Sequence, residues 1–167
     1  MNQTINVVIA GLGGQGVIKA SDVLSEAAFR AGYDVKKSEL HGMSQRGGSV
    51  CSDVRFGPQV LSPMVPPGQA DFLVVLAPDQ LEVNRGQLRA GGVLVAPDLI
   101  DPAVLTNRKS LNIALLGALS THLEIEAAQW IAAMHACFPQ KLHESNEQAF
   151  AEGRRVAGKA QAAGKAS

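Results

Sequence analysis

Residues Ile5 to Gly16 read I-N-V-V-I-A-G-L-G-G-Q-G, and no other stretch constrains the fold as tightly. An apolar run, Ile5 to Ala10, meets four glycines, Gly11, Gly13, Gly14 and Gly16, and a helical pattern follows to about Ala31. Glycines let a chain turn tightly and let another group approach its backbone. Strand, glycine turn and helix in that order open an α/β fold, with the unpaired N–H groups of the first helix facing whatever occupies the turn. Gly11, Gly13 and Gly16 satisfy G-x-G-x-x-G, with Gln15 inside the turn. Two readings stay open: glycines that permit close packing of strand, helix and a partner subunit, or a turn that receives a phosphate or nucleotide. The acidic ribose ligand of a dinucleotide site is not clearly placed, since Asp34 falls early in the second strand and Glu39 late. Val17 stands where a phosphate-binding loop needs its lysine.

After the first helix, Tyr33 to Ser38 reads as a second strand and Ser49 to Phe56 as a third. Gln59 to Leu61 is expected as a short returning hairpin arm, and Ser62 to Gly68, with three prolines, as an irregular crossing. Phe72 to Ala77 is a continuous apolar run, the mark of a strand covered on both faces. A helix is expected from Asp79 to Arg89, stopped by Gly91-Gly92, and then a strand over Val93 to Ala96. Leu111 to Leu123 is apolar almost all round and reads as a buried helix. Glu126 to Phe138 and Ser145 to Val156 follow as further helices, the last with Ser145 as N-cap. The alternation predicts a Rossmann-like, three-layer α/β/α domain with a parallel or mixed sheet and a helical C-terminal extension. One domain is expected over residues 1–158, with 159–167 as a frayed tail.

Composition removes several function classes. Lys plus Arg and Asp plus Glu both number 15, and aromatics make up only 4%, so neither a basic surface nor a stacking platform for nucleic acid is expected. No apolar run nears the roughly 18 residues of a membrane span, and M-N-Q-T leads directly into a strand, so a cytoplasmic protein is expected. Cys51 and Cys137 lie far apart and read as buried thiols, too few for a four-thiolate cluster. The four histidines, His41, His122, His135 and His143, show no zinc spacing, so no metal ligands are assigned. No catalytic residue is assigned either.

The second constellation is Glu39 to Ser49, E-L-H-G-M-S-Q-R-G-G-S. A loop leaving the carboxyl end of the second strand would lie close to the glycine turn, where α/β folds place ligands. Glu39, His41, Ser44, Gln45 and Arg46 are its candidates: His41 could titrate near neutral pH and Arg46 could hold a carboxylate or phosphate bidentately. The alternative is a mobile surface loop with one internal Arg–Glu pair. Gly42 to Arg46 begins like a nucleophile elbow, but Arg46 replaces the final glycine.

G-L-G-G-Q-G-V-I-K-A, followed by G-Y-D-V-K-K-S-E-L-H-G-M-S-Q-R-G-G-S-V-C-S-D-V-R-F-G, resembles the gamma domain of 2-oxoacid:ferredoxin oxidoreductases. The H-G-M-S-Q-R-G-G form is most similar to the small beta subunit of indolepyruvate ferredoxin oxidoreductases. The likeness continues through A-D-F-L-V-V-L-A-P, N-I-A-L-L-G-A-L and N-E-Q-A-F-A-E-G, spanning about Ile5 to Gly153. It implies an accessory subunit, inactive alone, packed on a large subunit that carries thiamine diphosphate and 4Fe-4S clusters. That complex would decarboxylate a 2-oxoacid, of the arylpyruvate type, pass electrons to ferredoxin and form an acyl-CoA. Neither cofactor would sit wholly in this chain, which has no G-D-G…N-N pattern and no cysteine cluster. The chain is shorter than typical relatives, chiefly between Pro97 and Leu111. Gly11 to Gly16 and Glu39 to Ser49 are then expected to face the partner. The rival expectation is a free-standing, Rossmann-like nucleotide-binding protein.

Overall fold

The computed structural model describes residues 3–42 and 47–165. Five strands, β1 (Ile5–Leu12), β2 (Asp34–His41), β3 (Ser49–Gly57), β4 (Ala70–Val75) and β5 (Leu88–Val95), form one sheet in the order β2-β3-β1-β4-β5. β1 runs parallel to β4, and β4 to β5, whereas β3 is antiparallel to both of its neighbours. The sheet is therefore mixed. The helices are α1 (Val17–Arg30), α2 (Gln80–Asn84), α3 (Leu111–Ser120), α4 (Ala127–Cys137) and α5 (His143–Lys165).

The central position of β1 follows from its apolar run: Val7, Val8, Ile9 and Ala10 are all fully buried, so both faces of the strand must be covered. On one face, Val7, Ile9, Val54, Phe56, Phe72 and Val74 join side chains of α1, α3, α4 and α5 in the main core. Trp130 of α4 is fully buried there, its ring 5.5 Å from that of Phe150 on α5. On the other face Val8, Ala70, Leu73 and Val75 pack with Cys51, Leu88 and Leu94 of the sheet and are covered by Val65, from the proline-rich crossing, and Leu81, from α2. The three layers are thus unequal, with four helices on one side and a five-residue helix plus a loop on the other.

The antiparallel component arises differently from the expected hairpin arm. Residues 59–61 form no strand. The segment is held by polar groups of the sheet instead: the Val60 N–H donates to Asp34 (2.7 Å), the Val65 N–H to Asp53 (2.9 Å), and Arg55 to the Ser62 carbonyl (2.9 Å). It is β3 that runs against its neighbours. The helix expected to reach Arg89 also ends earlier, at Asn84, passing through a 3-10 turn over Arg85–Gln87 into β5. Gly91-Gly92 lie inside that strand, where Gly91 has φ 72° and the pairing with β4 shifts register between Ala70 and Phe72. The glycine pair permits a bulge rather than a helix stop. α5 begins at His143, so Ser145 lies within the first turn, its Oγ donating to the Leu142 carbonyl (3.2 Å). The helix continues to Lys165, with residues 158–165 exposed.

α3 is apolar all round because it lies between the sheet and α5, and every residue from Asn112 to Ser120 is buried. Its crossing with α5 depends on two glycines. A Cβ on Gly117 would meet the Phe150 carbonyl oxygen, and one on Gly153 the Ala114 carbonyl oxygen, each far inside van der Waals contact. Both obstacles are helix backbone, so relief would require the helices to separate. Gly153→Ala is expected to lower stability by about 2–3 kcal/mol in urea unfolding, whereas Gly158→Ala, where a Cβ meets open space within the helix, is expected to raise it by up to ~1 kcal/mol.

Candidate functional site

The chain reverses after β1 over Gly13 to Gly16, and Gln15 closes the turn twice. Its N–H donates to the Leu12 carbonyl (3.1 Å), while its side-chain oxygen accepts from the Leu12 N–H (2.7 Å). Gly14 and Gly16 have φ of 87° and 83°, values that favour glycine. Gly16 is the N-cap of α1, with no side-chain cap and no acidic residue in the first turn. The first helical bond runs from the Ala20 N–H to the Gly16 carbonyl (3.0 Å), so the N–H groups ahead of it have no partner within the helix. Asn112, at the start of α3, donates its Nδ2 to the same carbonyl (3.1 Å). A Cβ on Gly16 would press into that amide group.

Because β1 and β2 are both antiparallel to β3, they point the same way, and the connection from β2 to β3 leaves beside the glycine turn. The Gly13 N–H donates to the Gly48 carbonyl (2.8 Å). The Gly42 N–H donates to the Ser49 carbonyl (2.7 Å), extending the ladder beyond β2. Gly11, Gly13, Gly14, Gln15 and Gly16 therefore lie together with the returning arm of the hairpin. Glu39 does not join them. It accepts from Lys37 (2.9 Å), which also pairs with Asp22 on α1. His41 is exposed at the end of β2, opposite Val50. Ser44, Gln45 and Arg46, and with them the expected Arg–Glu pair, lie outside the described residues.

Two hollows flank the turn. A cavity of about 390 Å³ opens between it, the segment before α3 and the start of α5, with Lys19, Lys109, Lys141 and Asn146 in its wall. A neighbouring one, about 280 Å³, is lined by Gly14, Gln15, Arg108 and Lys109 among others. Lys19 belongs to the segment that opens with the glycine turn, the others carried no motif, and only the folded chain brings the three segments together. A third hollow, about 480 Å³, lies across Lys19 between α1, β2 and α4.

Both cysteine thiols are held above their ordinary range. Burial, with the nearby Asp53 carboxylate second, pushes the Cys51 thiol up to about 12. Burial raises Cys137 as well. Both are half-buried rather than fully enclosed. No group of three or more His, Cys, Asp or Glu among the described residues could hold a metal ion. No helix of those residues is long and apolar enough to cross a membrane.

A family profile described as pyruvate ferredoxin/flavodoxin oxidoreductase matches residues 6–108, from β1 across the glycine turn and the whole sheet. The chain belongs to that family. The chain is 47% identical over 89 residues to the indolepyruvate oxidoreductase subunit IorB of Thermococcus kodakarensis, a stretch that takes in 53% of this chain and 44% of that one. The matched stretch thus spans under half the length of that relative. A second IorB, from Methanothermobacter thermautotrophicus, is 28% identical over 187 aligned positions, which take in 89% of this chain and 95% of the relative. Among solved structures, the gamma subunit of a keto/oxoacid ferredoxin oxidoreductase from Geobacter sulfurreducens superposes with a TM-score of 0.78 at 25% identity, covering 92% of this chain and 98% of that one. A 2-oxoglutarate:ferredoxin oxidoreductase from Magnetococcus marinus shares the fold, with a TM-score of 0.82 at 20% identity over 95% of this chain and 32% of that one. The chain is of the gamma-subunit type, with a helical C-terminal region like its structural neighbours.

Two expectations follow from the site's geometry. Gly16→Ala should cost about 2–3 kcal/mol, from the left-handed backbone and the displaced Asn112 bond. Gly13→Ala, whose Cβ would lie 3.4 Å from the Gly47 nitrogen, should change stability by no more than ~0.5 kcal/mol. Urea unfolding of both variants checks the contrast. The thiolate fraction of Cys51 at pH 8 is on the order of 10⁻⁴ for a thiol held near 12. Iodoacetamide should therefore leave it unmodified in the native chain and label it promptly in urea, as peptide mass mapping would record.

Proposed function

We propose that the chain is the accessory, gamma-type subunit of a thiamine diphosphate- and iron–sulfur-dependent oxidoreductase. In this reading the complex oxidatively decarboxylates 2-oxoacids, arylpyruvates such as indolepyruvate, passes the electrons to ferredoxin and yields an acyl-CoA. The relatives' names support the substrate class, since several matched curated chains are indolepyruvate oxidoreductase subunits and others are common gamma subunits of pyruvate/ketoisovalerate oxidoreductases. The observation that carries the subunit role is the joining of the glycine turn to the β2–β3 connection through the Gly13–Gly48 bond. It brings the glycine turn and the start of β3 side by side at one end of the sheet.

The donor set does not fit an iron–sulfur cluster in this chain. A cluster of this kind needs four thiolate ligands, and the chain has two cysteines, Cys51 and Cys137. In this reading the clusters and the thiamine diphosphate belong to the large partner subunit. In this chain Gly11, Gly13, Gly14, Gln15 and Gly16, together with Glu39, His41, Ser44, Gln45 and Arg46, face that partner. They shape the approach of substrate or CoA rather than break bonds.

Anaerobic co-purification tests the reading. A tagged chain should recover a large, brown, thiamine-containing partner, and the pair should reduce a viologen dye with indolepyruvate, while the chain alone should not. Arg46→Ala should reduce recovery of the partner, or activity, with the unfolding midpoint unchanged. Dye reduction by the single chain would sink the accessory role. Tight dinucleotide binding by the isolated chain, with no partner recovered, would favour a free-standing nucleotide-binding protein.

A further inference from the structure

The sheet has two outer strands, β2 and β5, and they are built differently. An unpaired outer strand is a template for another chain, and proteins normally blunt it with a bulge, a proline or a free lysine. β5 is blunted, since Gly91 takes φ 72° and the pairing with β4 shifts register between Leu88 and Val93. β2 is not. Its eight residues include neither glycine nor proline and pair with β3 without a shift. Its two lysines are both tied within the chain, Lys36 to Asp34 (3.5 Å) and Lys37 to Asp22 and Glu39. The hollow of about 480 Å³ reaches Val35 and Lys37, so the helix side of this edge is open as well.

The alternation of an antiparallel ladder decides which main-chain groups of β2 are free. The Gly42 N–H donates to the Ser49 carbonyl, and the β2–β3 register sets these two residues opposite one another. Opposite pairs that exchange hydrogen bonds recur at every second residue. Lys36, Ser38 and Leu40 therefore turn their N–H and C=O groups toward β3, and Val35, Lys37, Glu39 and His41 turn theirs outward, where the sheet has no further strand. A second copy of the chain, related by a two-fold axis perpendicular to the sheet, fits those outward groups in one register. Centring the pair on Lys37 sets lysine against lysine, and centring it on Glu39 sets glutamate against glutamate, like charges directly opposite. Registers centred nearer either end pair fewer residues. Centring on Ser38 sets Lys37 of each copy against Glu39 of the other and Val35 against His41. It also lays Lys36 beside Leu40, which is 57% exposed and which a lysine stem can cover.

We propose that the chain associates with a second copy of itself through β2, the two strands antiparallel and centred on Ser38, so that the two sheets join into one. The occupant is a second copy because the charge pattern of the edge is complementary to itself. The inference goes beyond the subunit role. Glu39 and His41 would serve this pairing, while the glycine turn, at the end of β1 two strands away, stays open to the large subunit.

Sedimentation velocity on the purified full-length chain at low salt should show the mass rising from one chain to two with concentration. Glu39→Lys, which sets lysine opposite lysine at both pairs, should raise the dissociation constant roughly tenfold. Glu39→Pro removes an outward N–H while leaving the ladder with β3 intact, and should abolish the dimer. Circular dichroism melts confirm that both variants are folded. Ser38→Cys meets its own copy across the axis in a closely spaced pair without hydrogen bonds, a geometry that suits a disulfide. Mild oxidation should therefore join two Ser38→Cys chains, whereas Lys36→Cys chains, whose thiols lie far apart in this register, should stay single. A chain that remains monomeric to its solubility limit overturns the proposal, and so does a dimer that ignores Glu39→Pro and yields no Ser38→Cys cross-link. Loss of the large subunit from the Glu39→Pro chain, with the unaltered chain monomeric, would overturn it too and give the edge to that subunit. The subunit role is read from co-purification and dye reduction, neither of which requires the dimer, so the two can fail separately.

Discussion

A single side-chain amide joins the two halves of the chain where it matters most. Asn112 lies more than 90 residues beyond the glycine turn, yet its Nδ2 accounts for the Gly16 carbonyl at 3.1 Å. That bond sets the start of α1 against the start of α3. α3 in turn crosses α5 at a separation that only Gly117 and Gly153 allow. α5 then carries Phe150 against Trp130 of α4, and α4 packs back on α1. The turn at the end of β1 is therefore held by a closed circuit of four helices rather than by its local sequence alone. A turn on a loop would be compliant, whereas a turn locked into a packed core keeps its geometry.

The two faces of the sheet achieve cover by different physics. The helix side is an apolar interior, where burial area dominates. The other side relies on few apolar groups, and polar bonds complete it. Asn6 donates to the Gln69 carbonyl and accepts from Arg55, whose guanidinium also reaches Ser62, while Asp53 holds Val65 over the sheet. Burial raises the Asp53 carboxyl above its ordinary range, opposed by the Val65 N–H and by Arg55. A proline-rich segment without regular structure is thereby ordered by groups on β1 and β3 that point away from the main core.

How much could be read beforehand depended on whether the signal was local. The central strands and α1 were legible because continuous apolar runs and a helical stripe report burial directly. The order of α3, α4 and α5 was legible for the same reason. The Gly91-Gly92 pair misled, because two glycines after a short helix resemble a stop; only the register shift against β4 makes them a bulge. Ser145 misled similarly, since a serine followed by Gln148 fits a capping pattern, but Pro139 to Leu142 had already started the turn that leads into α5. The glycine turn could be recognised as a site, but its surroundings could not. Lys19, Lys109, Lys141 and Asn146 meet through tertiary packing, and nothing in their spacing announces it.

The two readings of the glycine turn, internal packing or an anion site, turn out to use different atoms. Gly11 and Gly16 are spoken for sterically by Val17, Leu76 and Asn112. Among the polar groups, the Gly16 carbonyl is taken by Asn112, the Leu12 N–H by Gln15 and the Gly13 N–H by Gly48. Packing thus takes two donors and one acceptor of the turn, and it leaves the N–H groups at the start of α1 without a side-chain cap. The close contacts that fix the turn and the open end of the helix therefore use different atoms, so the turn can be rigid and still present backbone donors.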